Sequence, residues 1–533
     1  MGINAGEGTK APCRAACPAG VDVPRYIRHI KERRFDLALS VIRESIPFPA
    51  VCGYACAHPC EGQCARQQYD EPVAIRLLKR VAFEEGGREW KERYSSRQPT
   101  GKRVAVVGSG PGGLTAAYYL AGKGHEVTVF ESLPSPGGML RYGIPGYRLP
   151  NEVVEREIDM IRKQGVEIKT KSRVDSPEKI LECGYNAVVV ASGAWQGANA
   201  GMETDNARVL DGVTFLKGVN SGDPPKTGDR VVVVGGGNTA LDSARSALRL
   251  GAREAVILYR RTRAEMPASP EEVSDALEEG VQLQFSTAPV KVLENRILCV
   301  KTSPGLEDGS GRPAPVILEG SQLYVRFDTL IIAAGQSPGG DSLGLPSNSD
   351  GTVRVDETLA TVIKAVFAAG DVVTGPSSII SAIAQGKQVA ASVDRYLGGS
   401  GNFEESSGGE KDGELVEEAP RGSIRPEVQK LPLKQRLGGF IPVECGYDVG
   451  KAVSEASRCL SCDLRNFNVA VDFSVCKECG YCGEVCGLDI FKVSGSFNPS
   501  GYKPMVAAYS EKCVGCLRCL MVCPDFAISI KAL

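Results

Sequence analysis

Nineteen cysteines stand in this 533-residue chain, and sixteen of them fall into tight groups toward its two ends. Thiolate is a soft donor, so such grouping points to inorganic chemistry, either iron-sulfur clusters or zinc. Near the C-terminus Cys476, Cys479, Cys482 and Cys486 are spaced C-x2-C-x2-C-x3-C, and Cys513, Cys516, Cys519 and Cys523 repeat that run 37 residues later, with Pro524 behind the last. In a run of this kind three thiolates hold one 4Fe-4S cluster and the fourth crosses to its twin. The spacing therefore predicts Cys476, Cys479, Cys482 and Cys523 on one cluster and Cys513, Cys516, Cys519 and Cys486 on the other. Zinc has no use for crossed fours. Gly487 departs from the pattern, standing where the first run would carry proline.

The N-terminal group is less regular. Cys13 and Cys17 precede Pro18, and Cys52, Cys56, Cys60 and Cys64 recur every four residues in CGYACAHPCEGQC. A helix would stack these thiols on one face, but Gly53, Pro59 and Gly62 favour loops wrapped around inorganic cores; zinc remains an alternative here. Cys459 and Cys462 lie apart in SRCLSC, leaving only Cys183, Cys299 and Cys445 outside any group. With three histidines, at 29, 58 and 125, histidine-based metal or nucleophile chemistry has little to work with.

The elements between these groups handle nucleotides. RVAVVGSGPGGLTAAYYLAGKGHEVTVFE, from Arg103 to Glu131, reads as buried strand, glycine turn, helix, strand and terminal acid. Gly108, Gly110 and Gly113 form G-x-G-x-x-G, in which the first glycine makes the turn, the second admits a pyrophosphate and the third lets helix and strand pack closely; Glu131 is placed to accept from a ribose diol. RVVVVGGGNTALD repeats the unit with Gly235, Gly237 and Ala240. Its second strand ends at Tyr259-Arg260-Arg261, where a guanidinium suits a 2′-phosphate and leans toward NADP over NAD. The runs NAVVVASG, FDTLIIAAG and AVFAAGD predict further buried strands ending at a common cleft. Past Gly398 the composition is that of a linker.

Charge nearly balances, with 62 basic and 64 acidic residues, and no basic tract suggests a nucleic-acid partner. No signal peptide opens the chain, and no apolar run approaches the roughly 18 to 20 residues that span a bilayer. The expectation is a cytoplasmic protein with no membrane segment, whose thiols serve metals rather than disulfides.

With these motifs assembled, the first 400 or so residues resemble the small (β) subunit of glutamate synthase and its NAD(P)H/FAD iron-sulfur oxidoreductase relatives. The resemblance rests on CPAGVDVPRYI, CGYACAHPCEGQC, PGGML with YGIPGYRLP, GGGNTALD, YRRTRAEMPA and FAAGDVVTGPSSIISAIAQGK. It implies FAD on Gly108, Gly110, Gly113, Glu131, Gly138, Met139, Arg148 and Asp371, and NADPH on Gly235, Gly237, Asn238, Thr239 and Arg260. Two departures stand out. The family usually has R-C-x-x-C upstream of Cys13, and the missing piece resembles SRCLSC, so the tail is expected to return and complete an N-terminal cluster. Cys13, Cys17, Cys52, Cys56, Cys60, Cys64, Cys459 and Cys462 then make eight ligands, enough for two cubanes, with the pairing left open. Lys79 stands near where some relatives supply a Gln or Glu ligand, which favours an all-cysteine shell including Cys52.

The fold expected is multidomain α/β: a helical iron-sulfur domain over 1–95, a Rossmann-like FAD domain in two parts (96–225 and 341–397), a Rossmann-like NAD(P) domain over 226–340, a linker over 398–455 and an α+β ferredoxin-like domain over 456–533. The function expected is an NAD(P)H:acceptor oxidoreductase, an electron-transfer subunit using FAD and four 4Fe-4S clusters. No substrate barrel or amidotransferase domain is left over, so substrate chemistry falls to a partner: a 2-oxoacid or aldehyde oxidoreductase, a glutamate synthase large subunit, or a ferredoxin. The alternatives are a free-standing or bifurcating NAD(P)H:ferredoxin enzyme, a flavin disulfide reductase, and an iron-sulfur relay without nucleotide activity.

Overall fold

Valine-rich runs without polar alternation form strands buried on both faces of parallel sheets. The computed structural model describes residues 11–86, 98–198, 201–202, 206–309, 311–338, 343–403, 423–464 and 467–532. The chain divides into two compact units, of which one is Glu92–Phe403 with Gln429–Cys445. In it, the strand Arg103–Val107 pairs in parallel with Glu126–Phe130 and Ala187–Val190, and Glu167–Lys169 and Val366–Ala368 complete a five-stranded sheet. A second parallel sheet runs in the order Val209–Asp211, Thr329–Ile332, Arg230–Val234, Glu254–Leu258, Gln282–Gln284. The three strands expected from NAVVVASG, FDTLIIAAG and AVFAAGD are all present. An antiparallel sheet, built from Thr287–Val292, Arg296–Glu307, Pro313–Ile317 and Leu323–Arg326, is inserted ahead of Thr329.

Each central strand passes through a glycine turn into a helix, Pro111–Gly122 in one layer and Asn238–Arg249 in the other. Buried charges join the layers. From the loop Ile144–Pro150, Tyr147 donates its hydroxyl to Asp242 (3.1 Å), and Arg148 pairs with Asp242 and Glu272 (2.7 Å each). Arg245 and Arg249 stack on the Tyr147 ring at 4.6 and 3.9 Å from its centroid and both donate to Glu279, at 2.8 and 2.6 Å. Residues 429–445, expected as linker, instead carry a short strand, a helix Leu433–Leu437 and the start of a second strand. Lys430 pairs with Asp275, and Arg436 with Glu278 at 2.8 Å, so charge holds in place a segment whose apolar content is low.

The other unit is Met1–Lys91 with Glu404–Val428 and Gly446–Leu533. Helices Val23–Lys31, Phe35–Arg43, Pro49–Ala55 and Ile75–Gly86 pack together, and Val449–Ser457, from the far end of the chain, packs on Val23–Lys31 and Ile75–Gly86. CGYACAHPCEGQC is not all loop: Cys52 lies in Pro49–Ala55 and Cys60 in a second short helix, Pro59–Gly62. Pro59 opens that helix rather than breaking one, because proline suits a first turn, and His58 at φ 39° supplies the kink between them. The C-terminal segment pairs Phe467–Val471 with Ile528–Ala532 and Phe491–Val493 with Met505–Ala507, around helices Tyr481–Val485 and Arg518–Val522.

Glu279 provides a test of the ionic joint. Burial works to raise its pKa, but the guanidinium groups of Arg245 and Arg249 overcome this and draw it down to about 2. The stability it contributes is therefore complete above the ordinary carboxyl value of about 4.3 and is lost as pH falls through about 2. Glu279→Gln should cost about 3 kcal/mol near neutrality, and the variant's melting temperature should fall less than the wild type's between pH 5 and pH 2 in calorimetry.

Candidate functional site

The two glycine turns have the shape a dinucleotide requires. A Cβ on Gly113 would lie 2.1 Å from the Gly108 carbonyl oxygen, so helix and strand meet as closely as the motif demands, whereas a Cβ on Gly110 or Gly237 would meet nothing within 4 Å. That open approach leads to the helix N-termini at Pro111 and Asn238, the ends of a helix at which a pyrophosphate would bind. Gly235 repeats the tight contact, its Cβ position being 2.2 Å from the Ala333 carbonyl oxygen. Gly138 lies against Gly110, which brings the PGGML loop and Met139 to the first turn. The residues fit FAD and a nicotinamide dinucleotide.

Individual side chains refine this. Glu131 is buried, and its carboxylate accepts from the Ser109 N–H (3.1 Å), the Ser109 hydroxyl, the Leu133 N–H (2.7 Å) and the Ser132 hydroxyl (3.4 Å), which fixes it at the mouth of the turn. Asp371 opens the helix Asp371–Thr374 after Gly370; burial raises its pKa, opposed by hydrogen bonds from Ser377. Arg148, which the resemblance gives to FAD, has its guanidinium engaged by Asp242 and Glu272 and ties the two sheets together. Arg261 is buried, donating to the Pro313 carbonyl (2.9 Å) and to Asp308 (2.5 Å) on the antiparallel sheet. Arg260 is exposed just past the end of the strand Glu254–Leu258. Tyr147, Asp242 and Glu272 were not selected from sequence; the signal available was the placing of acids and arginines on the inner turns of Asn238–Arg249.

Cys476, Cys479, Cys482 and Cys523 line one pocket with Val471, Met505 and Ile528. Cys486, Cys513, Cys516 and Cys519 line another. Cys523 thus lies with the first run and Cys486 with the second. Backbone N–H groups of Gly515 and Ala527 donate to the sulfurs of Cys513 and Cys523 at 3.4 and 3.3 Å. At the other end, burial and then the charges of Cys459, Cys462, Cys64 and Cys60 push the Cys13 thiol up, and burial pushes Cys459 to about 12. Cys13 thus has Cys459, Cys462, Cys64 and Cys60 as neighbours. A hydrogen bond from Cys52 and the ammonium of Lys79 draw Cys56 down to about 6 against the effect of burial, and Cys60 responds to Lys79, Cys56 and Cys17, which groups Cys17, Cys52, Cys56 and Cys60. Among the described residues no three His, Cys, Asp or Glu converge on a point that one metal ion would fill.

Arginine pairing brings the distant thiols together. Arg458, next to Cys459, is buried and donates to Asp70 (2.9 Å), Glu455 (2.8 Å) and the Glu71 carbonyl (2.6 Å). Arg66, two residues past Cys64, donates to Asp70 (2.7 Å) and to the Arg458 carbonyl (3.1 Å). Leu460, Ala65 and Val514 then form an apolar cluster with Cys462 and Cys516 at its edge, linking the Cys459 set to the nearer ferredoxin-type set.

Comparison with known proteins agrees with this construction. Residues 102–386 match the family model for pyridine nucleotide-disulphide oxidoreductase. Residues 7–89 match that for dihydropyrimidine dehydrogenase domain II, 4Fe-4S cluster, and residues 508–529 that for a 4Fe-4S binding domain. Subunit beta of the NADP(+)-dependent formate dehydrogenase of Moorella thermoacetica is 38% identical over 498 residues, covering 85% of this chain and 70% of that one. Subunit beta of the NADPH-Fe(3+) oxidoreductase of Geobacter sulfurreducens is 37% identical over 512 residues, covering 85% and 75%, and the glutamate synthase [NADPH] small chain of Azospirillum brasilense is 33% identical over 416 residues, covering 72% and 86%. The chain belongs to the pyridine nucleotide-disulphide oxidoreductase family. It is an FAD-dependent oxidoreductase that also carries 4Fe-4S domains. The flavin disulfide reductase alternative lacks its dithiol, since Cys183 is exposed beside the first sheet and Cys299 is buried in the antiparallel one.

If Cys459 and Cys462 complete an N-terminal set, the double variant Cys459→Ser/Cys462→Ser, prepared without oxygen, should contain about four fewer irons per chain by elemental analysis, with its flavin content unchanged.

Proposed function

We propose that this chain is the electron-transfer subunit of a larger oxidoreductase, taking electrons from NADPH through FAD to four 4Fe-4S clusters and on to a catalytic partner. The observation that carries the reading is the return of Cys459 and Cys462 to Cys13 and Cys64, which supports four sets of four among the sixteen grouped cysteines. FAD, when bound, accepts hydride as an electron pair and releases the electrons singly, and each cluster carries one. The chain's own residues bind and align. The turns at Gly108–Gly113 and Gly235–Ala240 receive the two pyrophosphates, Glu131 holds a ribose, and the ionic joint between Arg148, Asp242 and Glu272 keeps the two dinucleotide layers in register. No side chain needs to donate or remove a proton.

Within the iron-sulfur unit the sets are ordered. The Cys17, Cys52, Cys56 and Cys60 set neighbours the Cys13 set through Cys60, which meets the Cys516 set through Leu460 and Val514. The remaining set, with Cys479 exposed, ends the row and is the exit toward the partner. Two of the relatives are named as beta subunits, which supports a partner holding the substrate chemistry. No described helix is long and apolar enough to cross a membrane, and this many free thiols suit a reducing compartment, so a cytoplasmic location is part of the proposal.

Anaerobic reconstitution should give about 16 irons per chain, and NADPH should reduce a viologen dye faster than NADH; a colourless protein, or a loaded one inert to both nucleotides, would reject the reading. Arg260→Ala should raise KM for NADPH by about tenfold, the weight of one charge-assisted contact, and leave KM for NADH unchanged in the same dye assay.

A further inference from the structure

Lys79 is buried on the helix Ile75–Gly86. Three contacts hold that helix against the cysteine-bearing segment. The Glu61 carboxylate accepts from the Arg76 N–H at 2.8 Å, in the helix's first turn. Arg76 Nη1 donates to the Gly53 and Tyr54 carbonyls at 3.2 and 3.1 Å. Gly53 has no Cβ, and one placed there would lie 2.7 Å from the Arg80 Cα, so the helix packs backbone to backbone beside Cys52. Lys79 is thereby buried beside the segment that carries Cys52, Cys56 and Cys60, and after burial the charges that act on it most strongly are those of Cys52, Cys56, Cys60 and Cys17.

A buried ammonium requires a counter-charge. Among the described residues no carboxylate pairs with Lys79. Glu61 is engaged by Arg76 and by Arg425 (3.2 Å), and Glu84 by Arg80 (2.7 Å) and Tyr54 (3.0 Å). Four neutral thiols would leave the ammonium uncompensated. Four thiolates around an iron-sulfur core do not, because that assembly is negative in both redox states and gains a further negative charge on reduction. An ammonium also has no lone pair to offer iron, so Lys79 is not a ligand.

We infer that Lys79 is a charge-compensating residue for the cluster held by Cys17, Cys52, Cys56 and Cys60, raising that cluster's reduction potential by favouring the reduced state. The inference rests on the reading above that these four thiolates hold a cluster. The electron arrives from NADPH through the flavin, and no bond forms or breaks at Lys79. A raised potential makes this set an electron sink within the row.

The test is a redox titration of the anaerobically prepared, iron-loaded chain followed by electron paramagnetic resonance, with iron content measured in parallel. Lys79→Met, which keeps length without charge, and Lys79→Gln, which keeps a polar end, should each shift the reduction equilibrium of one cluster at least tenfold toward the oxidised state, about 59 mV for one electron, with iron content unchanged. Lys79→Arg should stay near the native midpoint. Native midpoints in both neutral variants, an equal shift in every cluster, or loss of the cluster from both neutral variants would overturn the inference. A wild-type chain that itself holds no cluster on these four cysteines would overturn the cluster reading and, with it, this inference; iron content in the wild type distinguishes that failure from the others.

Discussion

The iron-sulfur unit depends on the buried ionic knot of Arg66, Asp70, Glu455 and Arg458. Residues almost 400 positions apart must meet there, since Arg66 and Arg458 are separated by 392 residues. Closing a free coil of that length would cost about 5 kcal/mol, and two guanidinium groups taken out of water cost more unless every donor finds an acceptor. Here the donors reach two carboxylates and the backbone carbonyls of Glu71, Ser423 and Arg458. The knot flanks Cys64 on one side and Cys459 on the other, so satisfying the arginines and gathering the thiols are a single folding event. Binding of a core by the gathered thiolates would add a further favourable term, because such binding appears as folding free energy.

A similar economy governs the nucleotide unit. Tyr147 and Arg148 come from the loop that follows the first dinucleotide turn, and Asp242, Arg245 and Arg249 from the helix that follows the second. Arginine stacked on Tyr147 and paired with Glu279 leaves the loop little freedom to slide along that helix. Hydride transfer is steeply sensitive to the geometry of donor and acceptor, so a joint of paired charges and ring stacking is a physically reasonable place to set it. The segment 429–445 adds to the same side through Lys430 and Arg436, which explains why a stretch poor in apolar residues is ordered.

Much of the chemistry was legible from spacing. Parallel strands, glycine turns and the crossed fours each follow from short-range rules: a buried strand needs consecutive apolar residues, a pyrophosphate needs a turn without side chains, and the ferredoxin-type run fixes which sulfur crosses. Residues such as Gly113, Gly235, Cys486 and Cys523 therefore occupy the surroundings their motifs predicted. The misreadings came where a local rule had two outcomes. Pro59 opposes helix by local rule and instead begins one; residues 429–445 read as linker because their partners, Asp275 and Glu278, lie more than 150 positions away.

What the sequence determined by itself was the inventory: two nucleotide turns, sixteen grouped thiols, and the family that combines them. Tertiary structure decided the pairings. It brought the Cys459–Cys462 segment back beside Cys13 and Cys64, turned Arg148 and Arg261 toward carboxylates, and buried Lys79 on a helix packed against the Cys52 segment. Motif spacing operates over a few residues of backbone geometry, whereas a counter-charge or a fourth ligand is chosen by proximity in space, and that proximity exists only once the buried arginines have found their acids.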